Sequence, residues 1–538
     1  MLRFCGVAYC IFGLLAATLS GCAGVGRSNG LAASHAKILT IAIAGEPATL
    51  DPLVSDSAFE LYVEEVIFDG LVKFGANGRL LPDLAAQVPS RANGGISADL
   101  RTITYRLRHD VVWQDGVPFT ATDVVFTYRS LISGRLASPL RSLYEEIASV
   151  NAPNPYTVTV RLRKPSVAAI RQLFVAGAGS IVPKHILENV ADIRRSSFAI
   201  RPVGTGPFAV RDWKKGDYID LVANRRYFAG APRIAKLRVA VVPAASTRVA
   251  LLTTGDLDVA MVNSDEAASL RSVPSVRVFE SRSSNIFYLE LNTRRAPLNE
   301  RAVREALAYA VDRGELAKPF AGMGRPAFSL MPPGPFDPSA QPAACVGKRT
   351  ANAAALLTRA GWLSAGKHIR ERHGQRLSID LVYDPGPVMG GIALQLQQAW
   401  QGLGVETRLR ALPLGVLYDS HGLVTTGRYD AAVDEVAITD PSDLLQIVGS
   451  SSMPPAGFNY PRYRNTKVDA WLQSANATDD AHARAQLYAQ VDRALCRDVP
   501  FVPLLWKKYL IAVNRRVQGF APEPMTSDLW NVASWSLK

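Results

Sequence analysis

Histidine and cysteine are scarce in this chain, seven and five among 538 residues. No CxxC pair and no HExxH occurs, and no GxSxG stands after residue 37. Those gaps remove the usual zinc and redox frameworks, a zincin helix and a hydrolase nucleophile elbow. So few histidines leave little material for a metal cage, so neither a metal nor another cofactor is expected. Long apolar runs are missing beyond residue 22, where nothing approaches the ~20 continuous apolar residues of a membrane span. Dense basic runs interleaved with aromatics are missing too. The net charge is +13, but Arg101, Arg106, Arg161, Arg163, Arg225 and Arg301 are scattered. That charge reads as a solvated surface, and nucleic acid is not an expected partner.

What stands at the start is informative. Arg3 precedes an apolar stretch from Ile11 to Leu19, and Leu19-Ser20-Gly21 leads directly into Cys22. The stretch is too short for a permanent span and has the layout of an export signal. The tetrapeptide resembles a bacterial lipobox, in which the cysteine thiol is acylated and becomes the new terminus. The alternative is an ordinary cleaved signal that contains a cysteine. Residues 1–21 are thus expected to be a signal peptide, and residues 22–36, rich in Gly, Ala and Ser, a flexible tether. Cys345 and Cys496 then remain in an oxidising compartment, where they either pair or stand as separate buried thiols.

The body alternates strand and helix patterns. Ile38 to Ile43 reads as a strand, Ala58 to Leu71 as a helix, and Thr120 to Asp123 as a cap before a helix through Tyr128. Later strands are expected at Arg238 to Val242, Ile286 to Leu291, Leu377 to Val382 and Val405 to Leu409. Helices are expected at Ala245 to Thr254, Glu300 to Val311, Thr350 to Ala360 and Gly391 to Leu403. Gly116, Gly204 and Gly206 read as glycines of tight turns. Gly361 to Lys367 imitates a phosphate loop. Yet His368 stands where a Ser or Thr is needed, and the segment follows a helix instead of a strand. With 538 residues the chain is long enough for at least two lobes of α/β type.

A series of segments falls in a characteristic order: Glu46-Pro47 to Asp51-Pro52, Val66 to Val72, Leu81 to Ala85 and Thr104 to Arg108. Trp113 to Val124, Ile181 to His185, Pro202 to Phe208 and Gly255 to Asp258 follow. Pro297-Leu298 to Asp312-Arg313, Ala360 to Trp362 and Gly427 to Asp430 complete it. Together they resemble the family 5 extracellular solute-binding proteins, the oligopeptide- and dipeptide-binding components of ABC importers. The resemblance implies a two-lobed periplasmic-binding-protein clamp of type II with an inserted subdomain. Lobe I would comprise residues 37–77, 203–286 and 508–538, with 78–202 inserted, and lobe II residues 287–507. The implied partners are a small peptide or peptide-like solute, an ABC permease, and a membrane reached through the lipid. A monomer without catalytic residues is expected.

The same resemblance points to ligand contacts in the loop from Glu46 to Asp56, the strand around Asn285 to Leu291, and the loop from Asp434 to Asp443. Glu46, Thr49, Ser57, Asn285, Tyr288, Asp434 and Asp440 are the candidates. Alternation along the strand expects one of Phe287 and Tyr288 to face inward and the other outward. In the peptide binders an aspartate shortly before an Asp-Pro pair holds the peptide ammonium. Here Ala437 stands at that position before Asp440-Pro441, with Asp434 and Glu435 nearby. The departure leaves a second reading open: the same clamp for a metallophore, opine, sugar or antibiotic. A secreted hydrolase is the third, which the missing nucleophile and metal motifs disfavour.

Overall fold

The computed structural model describes residues 38–538 apart from 56, 137, 178, 321–323, 333–348, 365–368 and 523–527. The signal segment, Cys22, the tether, Cys345 and His368 lie outside the described residues. Among the described residues no helix is long and apolar enough to cross a membrane.

Eleven strands share one mixed sheet. In chain order they are β1 (Ile38–Ile43), β2 (Phe208–Lys214), β3 (Tyr218–Ala223), β4 (Lys236–Val241), β5 (Val259–Val262) and β6 (Val276–Leu291). β7 (Gly324–Pro326), β8 (Ser378–Tyr383), β9 (Glu406–Ala411), β10 (Ala431–Ala437) and β11 (Phe501–Asn514) follow. Their spatial order is β9-β8-β10-β6-β11-β5-β1-β4-β3-β2, with β7 set against β11.

Two antiparallel strands, β6 and β11, run through both halves of the molecule. Val276 to Arg282 pair with Asn514 to Lys508, and Ile286 to Glu290 pair with Trp506 to Phe501. The register slips between Arg282 and Ile286. The longer break, occupied by Ser283, Ser284 and Asn285, is where the sheet bends most easily; a shorter one lies between Phe287 and Tyr288.

The cores divide at the same place. On one side Leu39, Ile41, Phe208, Val239, Ile511 and Trp535 belong to one large cluster, and Leu252, Ala260 and Leu510 to a smaller one. On the other side β6 feeds two cores from alternate residues. Phe287, Leu289 and Leu291 join a cluster under helices Arg301–Ala310 and Pro387–Gln401. Ile286 and Tyr288 join another under Thr466–Asn476 and Ala481–Asp498. Phe287 and Tyr288 are therefore both buried, 5% and 1% exposed. The outward residue expected from alternation does not exist, because helices cover both faces of the sheet.

Local chemistry explains most element ends. Helix Ala245–Thr254 stops at Gly255, which takes a left-handed φ of 84°. Asp123, in the first turn of Ala121–Ile132, accepts from the Thr120 amide at 2.9 Å and the Lys184 amide at 3.0 Å. The expected helix from Ala58 to Leu71 is shorter, Ala58–Glu64. The chain then turns, and Val66, Ile67, Phe68 and Leu71 enter the core from the turn. Residues 102–162 add a three-stranded antiparallel sheet of Thr102–Arg106, Thr157–Leu162 and Ile147–Asn154. Its core is continuous with the first cluster.

The ordered sequence motifs bind one another. Gln114 donates to the Phe208 carbonyl at 2.8 Å and accepts from the Gly204 amide at 3.0 Å. Asp115 meets His185 at 2.8 Å. Asp69 accepts from the Thr205 hydroxyl at 2.7 Å and the Tyr227 hydroxyl at 3.2 Å. Gly116 adopts φ 99°, as a turn glycine should. Gly204 and Gly206 do not have positive φ; they are there for close approach. A Cβ on Gly204 would lie 1.9 Å from the Ile67 carbonyl oxygen, and one on Gly206 2.6 Å from that residue's backbone.

Candidate functional site

The strand directions locate the site. β8 runs parallel to β9 and to β10, and β10 ends at Ala437, which pairs with Asn285 beside the register slip. In the other half β5 runs parallel to β1, and its last residue, Val262, pairs with Leu510, close to the slip. The carboxyl ends of the parallel strands in both halves thus converge on the crossing. In open α/β sheets that is where ligands bind.

The candidate residues have different local roles. The loop after β1 carries Glu46, Thr49 and Ser57. Glu46 accepts from the Trp213 indole at 2.9 Å and the Gly216 amide at 3.0 Å. Thr49 donates to the Ala199 carbonyl at 3.4 Å. Ser57 caps helix Ala58–Glu64 in a capping box with Glu60. The Asn285 amide reaches Glu435 at 2.6 Å, and Lys507 binds the same carboxylate at 2.9 Å.

Asp434 to Asp443 reads as a loop from its sequence, but the segment through Ala437 completes β10. Asp434 therefore sits opposite Tyr288 in a ladder. The Tyr288 hydroxyl lies 3.3 Å from Asp434 and 3.1 Å from Glu290. The Tyr429 hydroxyl lies 3.4 Å from Glu290. Glu290 is wholly buried, and burial holds its carboxyl well above the usual range. Burial raises Asp434 to about 6. Sequence reasoning found Tyr288 and Asp434 but not Glu290, Tyr418 or Tyr429. An acid inside the buried strand pattern Tyr288-Leu289-Glu290-Leu291 was the available signal.

Asp440 caps the turn Pro441–Asp443, accepting from the Ser442 amide at 3.0 Å. It also meets Arg484 at 3.4 Å and Arg171, from the other half, at 3.5 Å. Three more contacts join the halves on that side. Gln172 donates to Asp443 at 2.6 Å, Arg91 pairs with Asp479 at 3.0 Å, and the Val167 amide meets the Asn476 carbonyl at 3.0 Å. Cys496 is disulfide-bonded.

Two halves joined by crossing strands, with parallel strand ends converging on the crossing, have the plan of the periplasmic binding-protein clamp. Comparison with known proteins agrees. Residues 79–453 match the model for bacterial extracellular solute-binding proteins, family 5 middle, and the chain belongs to that family. The oligopeptide-binding protein AppA of Bacillus subtilis (strain 168) is 27% identical over 539 residues, covering 97% of each chain. Among solved structures, NikZ from Campylobacter jejuni in complex with Ni(L-His) superposes with a TM-score of 0.77 at 27% identity, covering 93% of this chain and 99% of that one. AgaA from A. tumefaciens R10, in complex with agropinic acid, gives 0.75 at 25%, with the same two coverages. The protein is thus a solute-binding protein of that family, and not an enzyme.

Proposed function

We propose that this protein is a lipid-anchored receptor. It captures a peptide or peptide-like solute between its lobes and hands it unaltered to an ABC permease. Cys22 carries the lipid, residues 22–36 are the tether, and the receptor works as a monomer on the outer side of a membrane. Lobe I comprises residues 37–77, 203–286 and 508–538, with 78–202 inserted, and lobe II residues 287–507. Glu46, Thr49, Ser57, Asn285, Tyr288, Asp434 and Asp440 contribute to the cleft, directly or by fixing its walls. Cys345 is the partner of Cys496.

The observation that carries this reading is the convergence of strand ends from both lobes on the crossing. Contacts made by both lobes at once favour the closed form, and excluded water strengthens them. The test is mass spectrometry of molecules that co-purify, followed by thermal shift against peptides and other solutes. A solute that raises the melting temperature and is recovered intact supports the receptor; turnover of a labelled solute rejects it.

Ala437 favours a second reading. It is exposed at the end of β10, opposite Asn285, and carries no group to hold a peptide ammonium. A non-peptide solute in the same clamp fits that feature, and the solute panel separates the two readings.

A further inference from the structure

We propose that Arg313 and Phe328 form a binding site for the carboxylate of a small organic acid with an apolar body. The site lies between helices Arg301–Ala310 and Ala481–Asp498 and the start of β11. That end of β11 is remote from the register slip. The site is therefore separate from the convergence of strand ends and does not depend on the receptor reading.

Three observations carry it. First, the Arg313 guanidinium is buried and almost without acceptors. Among the described residues the buried arginines are Arg248, Arg304 and Arg313. Arg248 faces Glu266 at 2.8 Å and donates to the Val242 and Pro243 carbonyls. Arg304 donates to the carbonyls of Leu298, Asn299, Asp498 and Val499. Arg313 is 6% exposed, and its acceptor among the described residues is the Pro503 carbonyl, met by Nε at 2.7 Å. The two amino groups of the fork are left over. No carboxylate offsets the charge, and burial alone pushes the group down to about 10. Desolvated charge is expensive unless matched.

Second, the guanidinium stands at a cavity. A space of about 40 Å³ is lined by Arg313, Tyr309, Phe328, Leu495, Phe501 and Val502, among others. It has room for roughly three waters, or for one carboxylate group. Glu305 and Asp492 reach the same space, but each is already engaged. Glu305 accepts from the Tyr309 hydroxyl at 3.0 Å and pairs with Arg301 at 3.6 Å, and Asp492 accepts from the Ser329 hydroxyl. Water would hydrogen-bond the fork without neutralising it. A carboxylate does both, through two parallel N–H···O bonds.

Third, the cavity has an open, aromatic side. Phe328 lines it and is 38% exposed, and the Arg313 guanidinium carbon lies 5.6 Å from the centre of its ring. A guanidinium stacked on a ring keeps its edge free for an acid. Ala308, Leu495 and Val502 supply further apolar wall. An acid whose carboxylate reaches Arg313 lays its body on Phe328 and takes an exposed ring out of water.

The test uses the purified protein and isothermal titration at fixed ionic strength, in a buffer free of carboxylates and chloride. The probes are phenylacetate, phenylacetamide, acetate and chloride. Phenylacetate is expected to bind about tenfold tighter than the amide, which lacks the charge, and about threefold tighter than acetate, which lacks the ring. Arg313→Met should bring the acid-to-amide ratio close to one, and Phe328→Ala should remove the gain over acetate. Chloride binding as tightly as phenylacetate overturns the carboxylate assignment. Phenylacetate binding that is unchanged in both variants lies elsewhere on the protein and overturns the site. A wild-type protein that binds none of the four probes overturns it too, and capture of another solute between the lobes would then leave the receptor reading standing. If Arg313→Met fails to fold, Phe328→Ala decides the matter by the phenylacetate-to-acetate ratio.

Discussion

Glu64 keeps a carboxyl in the core of lobe I with the Ser55 hydroxyl as its hydrogen-bond donor, and burial raises it to about 8. Burial likewise raises Asp51 to about 6 and Asp69, with Asp83 beside it, to about 7. With Asp434 at about 6, these acids bind protons more tightly in the folded protein than in the unfolded chain. Folding free energy from this source is therefore complete below pH ~4 and is lost as pH rises through about 6 to 8. Each tenfold difference in proton affinity is worth about 1.4 kcal/mol. The unliganded protein should melt at a lower temperature at pH 8 than at pH 5, by calorimetry at fixed ionic strength. Glu64→Gln, which mimics the protonated form, should flatten the upper part of that decline. A melting temperature that climbs steadily from pH 5 to pH 8 contradicts the assignment.

Elements were legible where a local signal sets them and obscure where a distant partner does. Helix Ala245–Thr254 and its Gly255 stop follow from spacing and glycine alone. β6 is different. Only Ile286 to Leu291 has an apolar pattern; the stretch Arg277 to Asn285 is mostly serine and charge. It is a strand because Lys508 to Val513, more than two hundred residues away, pairs with it. The hinge was hidden for the same reason. The acid–tyrosine cluster was half visible, since Asp434 and Tyr288 stood out, but Tyr418 and Tyr429 join them only through the packing of separate elements. Glycine taught a similar lesson. Gly204 reads as a turn residue, yet its role is to let the Pro202 to Phe208 segment lie on the Ile67 carbonyl. Gly204→Ala must push backbone from backbone and should cost about 1–3 kcal/mol. Urea unfolding would read this as a lower midpoint at unchanged slope. A wild-type midpoint would mean the segment shifts freely.

At the scale of the whole molecule, function depends on how firmly the lobes hold each other before a solute arrives. Outside the crossing strands the two halves touch through Arg171 with Asp440, Gln172 with Asp443, and Arg91 with Asp479. These contacts therefore add to the hold that β6 and β11 provide. Partly exposed polar pairs are worth about 0.2–1 kcal/mol each. Removing two at once, in Arg171→Ala with Gln172→Ala, should shift the closed-to-open ratio toward open by a factor of roughly 2 to 30. Apparent affinity scales with the fraction of competent, closed protein. The double variant should therefore bind its solute more weakly, by up to the same factor. Its unliganded radius of gyration by small-angle scattering should exceed that of the wild type. At saturating solute the two profiles should coincide, because the ligand supplies the interlobe contacts that the variant lacks. Equal unliganded profiles with equal affinities would show that these pairs add nothing to closure, leaving only the crossing strands to set the resting state.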